Sequence, residues 1–189
     1  MSDKKKDLLL VGAGGLGRVA LEAAMINYNC FFVDDGIEVG SKVCGFPVIG
    51  AISELSALRK DFDFLVVTIG NNKIREDIYN SAIELKYSFP NIIFSSAYIS
   101  PFAKIGEGCI IMQNVCIQNS SEIGNGVILN PGVEIHHESF VDDYSLIYTN
   151  SVIRTQVKVG KRVRIGSTVS VGNNTIILDD SDIPNGMAL

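Results

Sequence analysis

Long apolar runs, a clustered excess of positive charge and paired cysteines are all missing from this sequence, and each absence closes a class of function. The apolar stretch near the start, "LLLVGAGG", is far too short to span a bilayer, and no small-residue cleavage pattern follows a proper hydrophobic region. No membrane segment is expected, and the protein reads as cytoplasmic. The formal charge is -5 and the sequence pI is near 5.0. Neutralising phosphates needs clustered Lys and Arg, so nucleic acid is not an expected partner. Cys30, Cys44, Cys109 and Cys116 form no CxxC pair and no Cys/His cluster with zinc-ligand spacing, which leaves no disulfide framework and no metal site. They read as small buried hydrophobes. What is present is apolar mass: 47% of 189 residues, enough for the core of one large domain or two small ones.

The chain changes period near residue 95. Before it, strand and helix patterns alternate: "DLLLV", "CFFVDD", "DFLVVTIG" and "NIIF" read as strands, and "GRVALEAAMINY", "SELSALRK" and "NKIREDIYNSAIEL" as helices. That alternation predicts a small parallel sheet flanked by helices, a Rossmann-like half-domain over residues 1–94. After it, every sixth residue from Ile99 through Ile105 and Ile111 to Ile183 is a branched aliphatic. The fourth residue after each, from Ala103 and Cys109 to Thr175 and Ser181, is small. One aliphatic and one small residue per six, both pointing inward, describe short strands joined by tight corners and stacked as a parallel β-helix over residues 95–189. Gly106, Gly124, Gly160, Gly166 and Gly172 follow the aliphatic position and are expected at corners that need unusual backbone angles. No hexad is interrupted, so no long loop leaves the coil.

Gly12-Ala13-Gly14-Gly15-Leu16-Gly17 fits GxGxxG between a strand and a helix, where backbone N–H groups and a helix N-terminus receive phosphate oxygens. Asp34 and Asp35 end the second strand, where an acid accepts from a ribose or base. About 90 residues make only half of a doubly wound dinucleotide fold, so a mononucleotide-sized ligand suits the space better than NAD. The same glycines would also serve close packing of helix on strand, and both readings stay open.

The only histidines, His136 and His137, stand side by side in "EIHHESF". With Ile135 and Ser139 inward, His136, His137 and Glu138 fall on outward or corner positions. Neighbours in an extended segment point to opposite sides, so one imidazole at most faces a given cleft. Histidine suits proton exchange near neutrality, and a following carboxylate that accepts the other ring N–H would fix its tautomer and raise its basicity.

The hexads resemble the left-handed β-helix acyltransferases, trimers that bind acyl-CoA between neighbouring coils. Across nearly the whole chain, "VGAGGLGRV", "FVDD", "TIGNNKIREDIY", "ISPFAKIG", "GVILN" and "HHE" follow the order of the nucleotide-sugar acetyltransferases, a group that includes UDP-4-amino-sugar N-acetyltransferases and sialic acid O-acetyltransferases. The resemblance implies a left hand, three hexads per coil, a homotrimer and acetyl-CoA as acyl donor. It implies that the first half holds a UDP-amino sugar, with Ala13, Gly14 and Gly15 near phosphate and sugar, Asp34 and Asp35 near uridine, and Gly70 at the third strand's end. It assigns the base to His137 and its support to Glu138, sets Asn130 near the acceptor sugar, and sets Leu146, Ser167 and Asn185 along the CoA cleft. The chain departs from the family where His is common at the positions of Leu16 and Leu146. Relatives also usually continue into a loop that covers CoA, whereas this sequence stops at "IPNGMAL", so less complete cover of CoA is expected. N-acetylation of a UDP-linked amino sugar for surface-glycan or glycoprotein biosynthesis is the leading expectation. O-acetylation of a sialic-acid-like sugar and a non-catalytic trimeric sugar-nucleotide scaffold are the rivals.

Overall fold

The computed structural model describes residues 5–189 and separates into two compact units, one ending at Ile92 and the other running Ile93–Leu189. In the first unit the strands are β1 (Lys6–Val11), β2 (Tyr28–Val33), β3 (Lys42–Val43), β4 (Phe46–Gly50) and β5 (Phe64–Val67). Their order is β3-β4-β2-β1-β5, parallel except for the β3–β4 hairpin. Leu8, Leu9, Leu10 and Val11 are fully buried, which is why the central strand reads as an unbroken apolar run. Helices α1 (Gly15–Asn27) and α3 (Asn72–Glu84) each follow a strand directly, and α2 is short (Leu55–Leu58).

Four expectations change here. "SELSALRK" gives only a 3-10 turn, Ile52–Glu54, and the single turn of α2. The β3–β4 hairpin was not foreseen, because strands this short, interrupted by Gly45 and Pro47, show no period. Its turn is legible afterwards: Cys44 and Gly45 have φ of 49° and 85°, the left-handed pair that suits a tight hairpin. Cys44 is thereby exposed, and Cys116 is half-buried, so only Cys30 and Cys109 are the buried hydrophobes expected of all four. Burial pushes the Cys30 thiol up to about 11, which keeps it protonated. Finally, Ile92–Ile93 in "NIIF" pairs within the coil's sheets and not beside β5.

The second unit is a parallel β-helix. Its two-residue strands run to Asp182–Ile183 in sheets of five, five and six strands. Residues 98, 116, 134 and 152 stack in register, as do 104, 122, 140 and 158, and 110, 128, 146 and 164. One coil is therefore eighteen residues, three hexads. The second residue of each strand enters the core, and Ile111, Ile117, Leu129, Ile135, Val141, Ile147, Ile153 and Ile165 are fully buried.

The corners obey a rule that the glycines do not reveal. Positions 114, 120, 138, 144, 150, 156, 162, 168, 174 and 180 all have φ between 54° and 62° and none is glycine. Eight of them, from Glu138 to Asp180, are held there by a backbone bond to the coil beneath. Glu138 N–H, for example, donates to Asn119 O at 3.1 Å, and Arg162 N–H to Asp143 O at 3.0 Å. The expectation for Gly106, Gly124, Gly160, Gly166 and Gly172 is thus corrected: none has positive φ, and what they supply is room. A Cβ on Gly124 would lie 2.6 Å from Asp143 Oδ1, the atom that accepts the Asn125 N–H at 2.7 Å.

The small positions hold a buried polar ladder. Ser139, Ser145 and Ser151 donate to the carbonyls of Arg154, Gly160 and Gly166 and accept the N–H groups of Val157, Val163 and Val169. Among the described residues no buried side-chain polar atom lacks a partner. Ser151→Ala strips the Gly166 carbonyl and the Val169 N–H of this partner at once. It is expected to cost about 1–3 kcal/mol in urea unfolding, where the exposed Ser120→Ala should change stability by less than about 0.5 kcal/mol.

Candidate active site

The glycine loop leaves β1 at Gly12, whose φ of 106° turns the chain toward α1. A Cβ on Gly17 would run into the Gly12 carbonyl, so this glycine lets the helix close onto the strand. Gly14, Gly15 and Gly70 differ: a Cβ there would meet nothing within 4 Å. They front a cleft of about 440 Å³ at the C-terminal ends of β1, β2 and β5, shared with Leu16, Asp34, Asp35, Gly36, Ile52, Thr68 and Ile69. Gly14 caps α1 without a side chain, and the first-turn N–H groups are left for an anion.

Asp34 and Asp35 do structural work that sequence reasoning did not assign. Asp34 Oδ2 accepts the Ala13 N–H at 2.7 Å and Oδ1 the Gly36 N–H at 2.8 Å; Asp35 Oδ1 accepts the Ile52 N–H at 2.8 Å. Ala13 is fully buried, so its part is this N–H and not its side chain. Arg75, also fully buried, was missed. Its guanidinium donates to Ile69 O at 2.9 Å, Gly70 O at 3.2 Å and Asn72 Oδ1 at 2.9 Å, and so fixes the loop that ends β5. An arginine inside a charged helix carries no sequence signal of that role. Thr68 completes the brace by donating to the Gly12 carbonyl at 2.5 Å.

In the second unit His137 and Glu138 sit on one corner of the coil, lining a shallow depression with Gln118, Asn119 and Ser120. Glu138 holds the left-handed corner position, φ 61°, which turns its side chain back toward the preceding ring. His137 Nδ1 lies 3.4 Å from Glu138 Oε1, and Nε2 lies 3.1 Å from Thr155 Oγ1. The His137 N–H donates to Gln118 Oε1 at 3.1 Å, and Gln156 Nε2 donates to Glu138 Oε2 at 2.6 Å. Both side chains of the pair are half exposed, 50% and 52%. His136 faces elsewhere, with Nε2 3.2 Å from Glu134 Oε2. The two imidazoles therefore have separate carboxylates and separate surroundings.

Other sequence candidates are not brought to this corner. Asn130, Ser167 and Asn185 belong to the corner between the sheets containing Leu129 and Glu134, while His137 follows Ile135 at the next corner. Asn185 Oδ1 accepts the Ser167 N–H at 2.8 Å, a bond between successive coils. Leu146 is 3% exposed on its strand. Thr155 and Gln156 were not foreseen, since only stacking at eighteen residues puts them beside His137 and Glu138.

Residues 7–82 match the PglD N-terminal domain family and residues 92–187 the GMPPB C-terminal domain family. The acetyltransferase domain of PglB from Neisseria gonorrhoeae FA1090 superposes with a TM-score of 0.92 at 30% identity, over 98% of this chain and 91% of that one. In complex with acetyl coenzyme A the same domain gives 0.86 at 32% identity, over 98% and 96%. The chain belongs to the hexapeptide-repeat nucleotide-sugar acetyltransferases. Its coil is accordingly the left-handed β-helix. A perosamine N-acetyltransferase mutant from Caulobacter crescentus, in complex with CoA and GDP-perosamine, is 27% identical over 96% of this chain and 92% of that one, with a TM-score of 0.78. The UDP-N-acetylbacillosamine N-acetyltransferase of Bacillus subtilis (strain 168) is 33% identical over 114 residues, 57% of this chain. The chain spans about half, or less, of the length of the curated relatives it matches. Among the described residues no helix is long and apolar enough to cross a membrane.

The Gln156 amide first, and the His137 ring second, hold the Glu138 carboxyl below its ordinary value. A lowered folded value means that this contact stabilises the fold above the ordinary carboxylate range. The contribution is lost as pH falls through the lowered value. Gln156→Ala should move the Glu138 titration upward toward the ordinary range, read by carbon-13 NMR of the carboxyl group.

Proposed function

We propose that the protein transfers the acetyl group of acetyl-CoA to the amino group of a UDP-linked amino sugar, with His137 as base and Glu138 as its support. The observation that carries this reading is the polar ring around His137. A carboxylate on Nδ1 fixes the tautomer whose Nε2 lone pair is available, and it stabilises the imidazolium formed when that atom takes a proton. As an amine nitrogen bonds to the thioester carbon, its proton passes to Nε2; the C–S bond then breaks and the same proton serves the departing thiolate.

The glycine cleft supports a nucleotide diphosphate in the other unit. Gly14 and Gly15 leave space where any side chain would stand, α1 offers its N-terminus, and Asp34, Thr68 and Arg75 stiffen the walls. UDP is preferred by the likeness to the Bacillus enzyme, whereas the Caulobacter enzyme is in complex with GDP-perosamine. The sugar amide so made belongs to surface-glycan or glycoprotein biosynthesis in the cytoplasm.

A homotrimer is part of the same reading. Asn130, Ser167 and Asn185 lie on another corner from His137, so one chain alone does not gather them, while copies packed side by side set unlike corners against each other. The exposed Tyr98, stacked on Cys116 in its sheet, and the exposed Phe102 at the corner that follows give such packing an apolar surface. Light scattering should give three times the chain mass, and a stable monomer would remove the trimer.

Activity is tested by thiol release from acetyl-CoA with a panel of UDP- and GDP-linked amino sugars and hydroxyl-bearing analogues. His137→Ala should lower kcat/KM about 10²–10⁴-fold with amine acceptors. Equal rates in variant and parent would take His137 out of the mechanism, and faster turnover of a hydroxyl acceptor would favour O-acetylation.

A further inference from the structure

The coil stacks side chains eighteen residues apart, and on the His137 corner this sets Thr155 on His137 and Gln156 on Glu138. Which ring nitrogen of His137 carries the proton is decided by its partners. Thr155 Oγ1, 3.1 Å from Nε2, does not decide it, because a hydroxyl donates to a bare nitrogen and accepts from a protonated one equally well. An ionised carboxylate only accepts, so Glu138 Oε1, 3.4 Å from Nδ1, selects the form with the proton on Nδ1 and the lone pair on Nε2. That selection is only as firm as the carboxylate's own place. Glu138 is half exposed on a long stem, and the entropy lost by holding such a side chain in one rotamer matches or exceeds what an exposed ion pair returns. The Gln156 amide is the anchor: its Nε2 donates to Glu138 Oε2 at 2.6 Å and so leaves Oε1 turned to the ring.

We infer that Gln156 is a positioning residue of the proposed reaction: it clamps Glu138 so that His137 meets the acceptor amine with Nε2 unprotonated. This rests on the reading that His137 is the base. Gln156 leaves a rigid corner, with φ of 59° and its N–H on the His137 carbonyl at 3.4 Å, so its side chain starts from a fixed place one coil above Glu138. An amide suits the task because it brings no charge. An ammonium or guanidinium there would neutralise the carboxylate that the imidazolium needs, and a second carboxylate would repel it. Asn119, Ser120 and Asn174, on the same corner of neighbouring coils, are uncharged as well. The charged groups along the flanking strands are Glu134, His136 and Arg154 before the corner and Glu122 and Lys158 after it. None of them is bonded to Glu138; Glu134 is on His136 at 3.2 Å and Glu122 on Lys104 at 2.6 Å. Glu138 therefore answers to Gln156 and His137, the two groups that hold its carboxyl below its ordinary value. As the amine displaces the Thr155 hydroxyl from Nε2, the Gln156 bond on Oε2 is untouched, and the support on Nδ1 persists through the proton transfer.

Nitrogen-15 NMR of the histidine rings reads the tautomer in the free protein, with His136→Gln to assign the two rings. In alkaline solution, where imidazole is neutral, the parent's His137 should hold its proton on Nδ1. Gln156→Asn, which keeps the amide one methylene short, should give a mixture of both tautomers. In thiol release from acetyl-CoA, with the amino-sugar acceptor that the parent turns over, Gln156→Asn should lower kcat about 10–100-fold at unchanged KM, while its unfolding curve stays that of the parent. In Gln156→Glu the two carboxylates share a proton at the acid end, and the protonated one donates as the amide did; as pH rises that proton is lost and the pair repels. The ratio of its kcat to the parent's should therefore fall with rising pH. A flat ratio, or an unchanged tautomer or unchanged kcat in Gln156→Asn, beside the expected loss in His137→Ala, would overturn this inference and leave the proposed function standing. No loss in His137→Ala, or no turnover of any acceptor by the parent, would overturn both.

Discussion

Much of the second unit follows from the bond by which the corner N–H groups from Glu138 to Asp180 reach the carbonyls of the coil beneath. That bond accompanies a left-handed conformation at every sixth residue, whatever side chain is there: eight non-glycine positions, 138 to 180, adopt it in succession. An isolated Glu or Arg in that region would be strained. Repetition removes the choice: giving up one corner would break register with both neighbouring coils. The constraint sets the eighteen-residue stack, and the stack decides which side chains meet.

The glycines show how the same constraint is met from the other side. At Gly124 and Gly166 the chain passes so close to the Asp143 and Asn185 side chains that a Cβ is excluded, and those side chains accept N–H groups from the lower coil. The glycine loop of the first unit divides its glycines similarly. Gly12 turns the chain, Gly17 admits the helix, and Gly14 and Gly15, where a Cβ would meet nothing, border the cleft beside Gly12.

The hexad was plain in the sequence because both inward positions recur at a fixed local spacing and tolerate few residue types. His137 and Glu138 stood out for a chemical reason: the chain has two histidines, and a carboxylate directly follows the second. What lay beyond the sequence shares one cause, that partners distant along the chain leave no local mark. The β3–β4 hairpin is too short to have a period. Arg75 looks like one more charge on a charged helix until its carbonyl partners are seen. Asp34 looks like a ribose ligand until the Ala13 N–H is found on it. Thr155 stands eighteen residues from His137, and only the coil pitch brings them together.

Two polar ladders run along this one coil, and the difference between them separates structure from chemistry. Inside, Ser139, Ser145 and Ser151 each donate and accept within the core, and the low dielectric makes any missing bond costly, so their hydroxyls are committed. Outside, the column of Asn119, His137, Thr155 and Asn173 sits where water can replace a lost partner. A side chain there can therefore exchange one hydrogen bond for another at small cost. On the proposed reading His137 uses that freedom, releasing its resting partner as it accepts a proton. The core is rigid because it denies exchange, and the corner permits it. The hydroxyl of Thr155 differs from that of Ser151 not in kind but in facing outward, where water can replace its partner.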